Sequence, residues 1–300
     1  MGVPCFFRKR KVIVMPQRIT GHTQLLGIIA YPIRHSKSPM MHNTAFEALG
    51  LDYVYTAFEV KPGHLAEAVE GLKALGVVGF NVSMPYKRDI IPLLDHISPA
   101  SRLCGSVNTV INREGKLYGT VTDGIGWMRS VEEAGFDLKG KKLTILGGGG
   151  AATAIAVQAA LDGVAQISLF NRRGSSHTRA RELVHTLQNS TSSRVDAYLL
   201  EDTEVLGREL ADSALLCNAT SVGMGVLEGQ SPITDPGLLR PELVCADVIY
   251  APEETAFLKL AKQVGCPTLN GLGMVLYQGA EAFRLWTGHE MPIDAVKAVL

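Results

Sequence analysis

Polar side chains able to bind ligands or exchange protons lie where several apolar runs of this chain end. They cluster at residues 34–38, 81–87, 106–108 and 122–123, and a glutamine stands at position 278. Hydroxyl, amide, carboxylate and ammonium groups supply both donors and acceptors. Because ligands of α/β proteins bind beyond the carboxyl ends of parallel strands, we expect these turns to line a cleft.

A glycine cluster at residues 147–150 separates an apolar run, residues 143–146, from a helix-like run at 154–161. This is the order strand, tight turn, helix. Glycine lets the backbone turn sharply and approach a ligand closely, and a helix N-terminus attracts a pyrophosphate. The context favours a dinucleotide site over an ordinary glycine-rich loop.

The residues after the next apolar run, 166–170, bear on the choice of dinucleotide. NAD-selective sites usually place Asp or Glu there for the ribose 2′-hydroxyl, whereas this chain has Asn171 followed by Arg172 and Arg173. Guanidinium groups suit the additional 2′-phosphate of NADP. The pattern favours NADP, and the alternative is a solvated pair of charges at a strand end.

Composition indicates an ordinary globular protein. The chain has 300 residues, 46% of them hydrophobic and 19% charged, with a formal net charge of zero. The charge gives no argument for a nucleic-acid or membrane partner, and no apolar run has the length of a membrane span. Five scattered cysteines without a C-x-x-C pair predict free thiols, no metal site and a cytoplasmic location. We expect residues 1–17 to be a disordered extension.

The elements that must position these residues alternate along the chain. Apolar runs at 25–30, 53–60 and 77–82 predict strands, and helical patterns at 39–49, 65–75 and 87–94 lie between or after them. We expect Ser38 to cap the first of these helices. A hairpin at 107–121 and a crossover helix at 124–134 lead to the glycine turn. The pattern predicts an α/β fold with a mainly parallel sheet and a ligand cleft between two domains.

The polar turns carry motifs that resemble the shikimate dehydrogenase family, and within it the quinate/shikimate dehydrogenase branch. The matching segments, in order, are residues 31–39 with 42–43, 79–87, 105–109, 122–124, 147–151, 218–224, 271–274 and 278–280. The resemblance implies a substrate domain at 18–123, an NADP-binding Rossmann domain at 124–257, and a segment at 258–300 that returns to the substrate domain. It also implies hydride transfer between shikimate and NADP in aromatic amino-acid biosynthesis, forming 3-dehydroshikimate.

The resemblance also implies roles for individual residues. Lys87 would be the acid/base and Asp123 its partner, although an exposed lysine and a helix cap are their structural alternatives. The substrate-binding set would be Ser36, Ser38, Asn81, Ser83, Lys87, Asn108, Asp123, Tyr250 and Gln278. The cofactor-binding set would be Gly147, Gly149, Gly150, Ala151, Asn171, Arg172, Arg173, Thr220, Met224, Val248 and Gly271. His35 and His42 are expected to be structural or solvent-facing.

Three positions depart from the family pattern. Val121 stands where an asparagine is common, Ala251 replaces another asparagine, and Gly174 replaces an aspartate found in members that also accept NAD. Loss of that carboxylate leaves the arginines unopposed and weakens the case for NAD, but NAD as a second cofactor and quinate as substrate both stay open. A non-catalytic nucleotide-binding regulator is the alternative of another class, and a homodimer is a further possibility.

Overall fold

The computed structural model describes residues 19–300, so the extension expected at 1–17 lies outside the described part of the chain. The first part folds around a six-stranded sheet in the order β2-β1-β3-β5-β6-β4. Its strands are β1 (Gln24–Ala30), β2 (Tyr53–Glu59), β3 (Gly79–Val82), β4 (His96–Ile97), β5 (Thr109–Arg113) and β6 (Lys116–Thr120). The helices that accompany it are α1 (Ser38–Leu49), α2 (Leu65–Ala74), α3 (Pro99–Cys104) and α4 (Asp123–Glu133).

A second six-stranded sheet follows in the order β12-β11-β10-β7-β8-β9. Its strands, all paired in parallel, are β7 (Lys142–Leu146), β8 (Gln166–Asn171), β9 (Arg194–Leu199), β10 (Leu215–Asn218), β11 (Val244–Asp247) and β12 (Thr268–Leu269). Its helices are α5 (Gly150–Leu161), α6 (Ser175–Ser190), α7 (Thr203–Ala211) and α8 (Ala256–Val264), and the chain continues into α9 (Leu272–Thr287) and α10 (Ile293–Lys297). The α/β fold predicted from the sequence is confirmed.

Helix α9 packs against both halves of the molecule. Phe283 and Trp286 are buried with Leu26 and Phe46 beneath the first sheet, and Met274, two residues into the helix, joins the core of the second sheet. The indole of Trp286 donates to the carbonyl of Val110 at 2.9 Å. The polar side of α9 is therefore held where the two sheets meet.

Two local predictions are wrong. The helix expected at 87–94 is a series of turns ending in a short 3-10 helix, Ile91–Leu93, because Pro92 has no N–H and disfavours a helical residue before it. Ser38 does not cap α1: Lys37 occupies the cap position, and Ser38 is the first helical residue. Among residues 19–300, no helix combines the length and apolar character needed to cross a membrane.

Candidate active site

A cavity of about 310 Å³ lies at the carboxyl end of the first sheet and also contacts the second half of the chain. It gathers every residue expected to bind substrate. These are Ser36, Ser38, Asn81, Ser83, Lys87, Asn108, Asp123, Tyr250 and Gln278. Ala151 of α5 and Val248 after β11 line the same cavity. The cavity therefore joins polar groups of the first sheet to the turn that follows the glycines.

Lys87 and Asp123 form an ion pair in this cavity. The Nζ of Lys87 lies 2.5 Å from Oδ2 of Asp123, and the two side chains are 29% and 15% exposed. Oδ1 of Asp123 accepts from the amide of Asn108 at 2.8 Å. Both carboxylate oxygens are thus held by donors, while the ammonium group, which has three N–H bonds, keeps two for other acceptors. The pair can exchange a proton with a bound ligand.

Asn108 orients Thr122 and Asp123, the two residues at the start of α4. Its Oδ1 accepts from the backbone N–H of Thr122 at 2.8 Å, and its Nδ2 lies 3.0 Å from Oγ1 of Thr122. Val121 is buried, with 3% of its surface exposed. The asparagine common at position 121 is therefore not required to hold Asp123, since Asn108 already does so.

The hydroxyls of Ser36 and Ser38 stand at the N-terminus of α1. Ser36 Oγ accepts from the backbone N–H of Ser38 at 3.2 Å, which leaves its own O–H free to donate. Pro39 has no N–H, and the other N–H groups of the first turn carry the positive end of the helix dipole. Two hydroxyls beside a 12-residue helix make this end of the cavity suited to a carboxylate.

A buried tyrosine outside the predicted set, Tyr55, links Ser38 to Asn81. Tyr55 of β2 donates to Oδ1 of Asn81 at 2.7 Å. Burial raises the pKa of the Tyr55 phenol, and a hydrogen bond from Ser38 lowers it in part. Both Nδ2 hydrogens of Asn81 are used inside the protein, by the carbonyl of Asn108 and by Oγ1 of Thr109, each at 3.1 Å. Asn81 can therefore offer a ligand only an acceptor.

His42 and His35 differ in environment. His42 is fully buried and stacks on Tyr55 with ring centroids 4.4 Å apart, and Phe46 and Phe283 lie on the same cluster. Burial lowers the pKa of His42 from 6.5 to about 3. This histidine is a neutral member of an aromatic core. His35 is exposed and lines the cavity.

A second cavity, of about 500 Å³, lies beside the glycine turn. From the cofactor-binding set it contains Gly147, Gly149, Asn171, Arg172 and Thr220. Ser176 and Arg179 of α6, which are outside the predicted set, join them. The sequence signal for them is their spacing, since polar residues three apart on a helix lie on one face. Arg172 and Arg179 give this cavity two guanidinium groups.

The shape of the glycine turn fits a dinucleotide. A side chain at Gly147 would meet the carbonyl oxygen of Ala219 at 2.6 Å, and its φ of +118° is a conformation that favours glycine. A side chain at Gly148 would collide with Oδ1 of Asn171, so this glycine, absent from the predicted set, is needed as well. At Gly149 and Gly150 a side chain would meet nothing within 4 Å, which leaves an open cradle at the N-terminus of α5.

Asn171 supplies a further sign of a ligand. The residue is 2% exposed, and among the described residues neither Oδ1 nor Nδ2 has a hydrogen-bond partner. Buried amides without partners are costly. A ribose hydroxyl, which can both donate and accept, would satisfy this amide. The residues present therefore fit the cofactor that the sequence predicts.

Four residues of the predicted cofactor set line neither cavity, namely Gly150, Arg173, Met224 and Gly271. The backbone N–H of Arg173 donates to Glu201 at 3.2 Å. Backbone hydrogen bonds, with smaller contributions from Arg173 and Arg172, lower the pKa of Glu201. The expectation that loss of an aspartate at position 174 leaves the arginines unopposed is wrong, because Glu201 carries the opposing charge. Gly271 instead packs against the carbonyl of Val248, where a side chain would collide.

Comparison with known proteins gives two family matches. The shikimate dehydrogenase substrate binding domain matches residues 28–110. The shikimate 5′-dehydrogenase C-terminal domain matches residues 271–300. A shikimate dehydrogenase (NADP(+)) of Listeria monocytogenes serotype 4b (strain F2365) is 52% identical over 284 residues, covering 95% of this chain and 98% of the relative.

Solved structures agree with these matches. The crystal structure of a shikimate 5-dehydrogenase from Listeria monocytogenes in complex with shikimate and NAD superposes with a TM-score of 0.93, at 52% identity, covering 95% of this chain and 99% of that one. A shikimate dehydrogenase in complex with NADP+ gives a TM-score of 0.85 at 41% identity, covering 94% and 96%. The chain therefore belongs to the shikimate dehydrogenase family.

Proposed function

We propose that this protein is an NADP-dependent shikimate dehydrogenase that interconverts shikimate and 3-dehydroshikimate, a step of aromatic amino-acid biosynthesis. One observation carries the proposal: a single cavity holds the ion pair of Lys87 and Asp123 and is also lined by Ala151, next to the glycine turn. A dehydrogenase needs a group that exchanges a proton with the substrate oxygen, and a dinucleotide beside the carbon that bears this oxygen. The similarity to relatives that act on shikimate supports the choice of substrate.

The substrate end of the cavity suits a hydroxylated ring acid. Ser36 and Ser38, at the N-terminus of α1, would bind the carboxylate. Asn81 would accept from a ring hydroxyl through its oxygen, and Ser83, Tyr250 and Gln278 would contact the remaining polar groups of the ring. Hydroxyl and amide groups of this kind orient a ligand without burying an unpaired charge.

Lys87 would act as the general acid and base. In reduction it gives a proton to the carbonyl oxygen, and in oxidation it takes the proton back from the hydroxyl. The dinucleotide, when bound, would supply the hydride as NADPH or accept it as NADP at the carbon that bears this oxygen. Asp123 holds Lys87 in place from one oxygen, while Asn108 holds Asp123 from the other. The two contacts keep the ammonium group directed into the cavity.

The second cavity would bind the adenosine end of the cofactor. Asn171 would receive the ribose, and Arg172 with Arg179 would face the 2′-phosphate. Glu201 offsets part of the Arg172 charge, so use of NAD is compatible with this site as well. Gly147, Gly149 and Thr220 in the second cavity, and Ala151 and Val248 in the first, would follow the pyrophosphate from one cavity to the other.

We also propose the division of the chain into a substrate domain at 18–123, a cofactor domain at 124–257 and a returning segment at 258–300. The positions of the first sheet (24–120), of strands β7 to β11 of the second sheet (142–247) and of α9 support this division, and β12 (Thr268–Leu269) carries the second sheet past residue 257. A homodimer that acts in the cytoplasm on small molecules completes the proposal. Gel filtration with light scattering would test the oligomeric state.

The test is reduced-nicotinamide formation at 340 nm with shikimate or quinate, each with NADP or NAD. We expect the highest kcat/KM with shikimate and NADP. Preference for quinate would instead assign the protein to the quinate-using branch. No turnover in all four mixtures, with NADP still bound, would favour the non-catalytic regulator.

A Lys87→Met variant tests the acid/base role. It should lower kcat by about 100- to 10,000-fold while NADP binding, followed by fluorescence, stays within about twofold of the parent. Lys139→Met is the matched control, because Lys139 lies outside both cavities. Normal turnover by the Lys87 variant would remove this residue from the chemistry.

A further inference from the structure

Asp247 is a buried carboxylate that the proposed reaction does not yet use. It is the last residue of β11 and is 1% exposed. Its Oδ1 accepts from the backbone N–H of Ile249 at 3.0 Å. Its Oδ2 accepts from Asn218 Nδ2 at 3.1 Å and from Thr255 Oγ1 at 2.8 Å. Within residues 19–300 no ion pair includes Asp247, so three neutral donors hold it.

This carboxylate, together with the carbonyl of Val222 that accepts from the same Nδ2 at 3.1 Å, determines the orientation of the Asn218 amide. An ionised carboxylate can only accept hydrogen bonds, so the Nδ2 of Asn218 must face Asp247 and its Oδ1 must face the other way. That oxygen accepts from both the N–H and the O–H of Thr220, at 3.1 and 2.7 Å. If the amide were reversed, the NH₂ group of Asn218 would face the N–H and O–H donors of Thr220.

The Thr220 hydroxyl is consequently left as an acceptor. Its hydrogen is committed to Asn218, and one of its lone pairs accepts from the backbone N–H of Val222 at 3.0 Å. One lone pair remains. Thr220 and Val222 both line the second cavity, where the dinucleotide would bind. The remaining lone pair can therefore accept a hydrogen bond from a donor group on the dinucleotide.

The other oxygen of Asp247 acts on the substrate side. Ile249 lies between Val248 and Tyr250, which both line the substrate cavity. The carbonyl of Ile249 accepts from Gly271 N–H at 2.9 Å. The segment 248–250 is therefore held from both sides, and one of the two contacts is with Asp247.

We infer that Asp247 is a positioning residue for both ligands of the proposed reaction. Through Asn218 it presents Thr220 as an acceptor to the dinucleotide, and through Ile249 it sets Tyr250 against the substrate. The inference rests on the proposed function. The dinucleotide donor is either a ribose hydroxyl or the carboxamide N–H of the nicotinamide.

An Asp247→Asn variant tests this inference. It keeps the shape of the side chain but places an NH₂ donor among the donor groups of Asn218, Ile249 and Thr255. We expect KM to rise for both NADP and shikimate, with kcat/KM falling about tenfold or more. Glu209→Gln is the matched control: Glu209 is also a buried carboxylate, bound to Lys142 and Ser168, but it lies away from both cavities. It should lower Tm and leave both KM values unchanged. A fall in Tm without a kinetic change in Asp247→Asn would overturn the inference.

Thr220→Val separates the two effects. It should raise KM for NADP alone, and in the double variant with Asp247→Asn the NADP effects should not add, whereas the shikimate effect should persist. Additive NADP effects would contradict the hydrogen-bond chain. With the 3-acetylpyridine analogue of NADP, which lacks the amide N–H, the Thr220 effect should vanish if the donor is the carboxamide and persist if it is a ribose hydroxyl.

Asn218→Ala serves if Asp247→Asn does not fold, because it breaks the same chain without altering the carboxylate. It should weaken the binding of NADP, and unchanged NADP binding would again overturn the inference. A parent enzyme that binds NADP but does not oxidise shikimate would refute the proposed function alone. Direct NADP titration of the variants would still test Asp247 in that case.

Discussion

The buried His42 predicts a loss of stability in acid that one substitution should remove. Neither ring nitrogen has a hydrogen-bond partner among the described residues, and aromatic rings of Tyr55, Phe46 and Phe283 surround the imidazole. Charging this ring without solvent or an acceptor is costly, which is why the pKa of His42 falls from 6.5 to about 3. In the unfolded chain the ring is solvated and takes up a proton at its ordinary pKa.

The sign and size of the effect follow from this difference. The folded-state pKa is lowered, so the stabilisation is complete above pH 6.5 and is lost as the pH falls towards 3. Each pH unit within that interval costs about 1.4 kcal/mol. At pH 5 the protein should therefore have lost about 2 kcal/mol of its free energy of unfolding through His42 alone.

The assay compares urea unfolding of the parent and of His42→Phe between pH 7 and pH 5. The variant keeps an aromatic ring but has no titrating group at position 42. Between pH 7 and pH 5 its free energy of unfolding should therefore fall by about 2 kcal/mol less than that of the parent. Phe46→Leu is the control, because it alters the same cluster by an amount that does not depend on pH. Parallel pH profiles for the parent and His42→Phe would refute the reasoning.

Two further predictions concern the cofactor and the helix packing. Arg172→Ala should weaken NADP binding about 10- to 100-fold, the value of a charge-assisted hydrogen bond, and leave NAD nearly unchanged; equal weakening in calorimetric titrations would refute a 2′-phosphate contact. Gly126→Ala should destabilise the protein by about 1–3 kcal/mol and raise KM for shikimate, because the added carbon would lie 2.7 Å from Cα of Gln278. Gly71→Ala, in a helix where nothing lies within 4 Å, should stabilise it by about 0.5–1 kcal/mol in the same urea titrations.

Local signals in the sequence were sufficient for the element order and the family. The apolar run, glycines and helix-like run at 143–161 are adjacent in the chain, and their physics is local: a strand, a turn without Cβ atoms and a free helix N-terminus. The alternation at 53–60 and the helical period at 65–75 are local in the same sense. Position 92 shows the limit, since a proline there outweighed the helical pattern around it.

The assembly of the site was decided by the tertiary structure. Tyr55 and Asn81 are 26 residues apart, and Asn218 and Asp247 are 29 apart. Asn218 and Asp247 meet because they end neighbouring parallel strands, whereas Tyr55 reaches Asn81 across β1, which lies between their two strands. Which amide atoms are consumed inside the protein depends on these distant neighbours. The sequence alone therefore determined which groups are present and in which order, whereas the fold decided which hydrogens and lone pairs remain for a ligand.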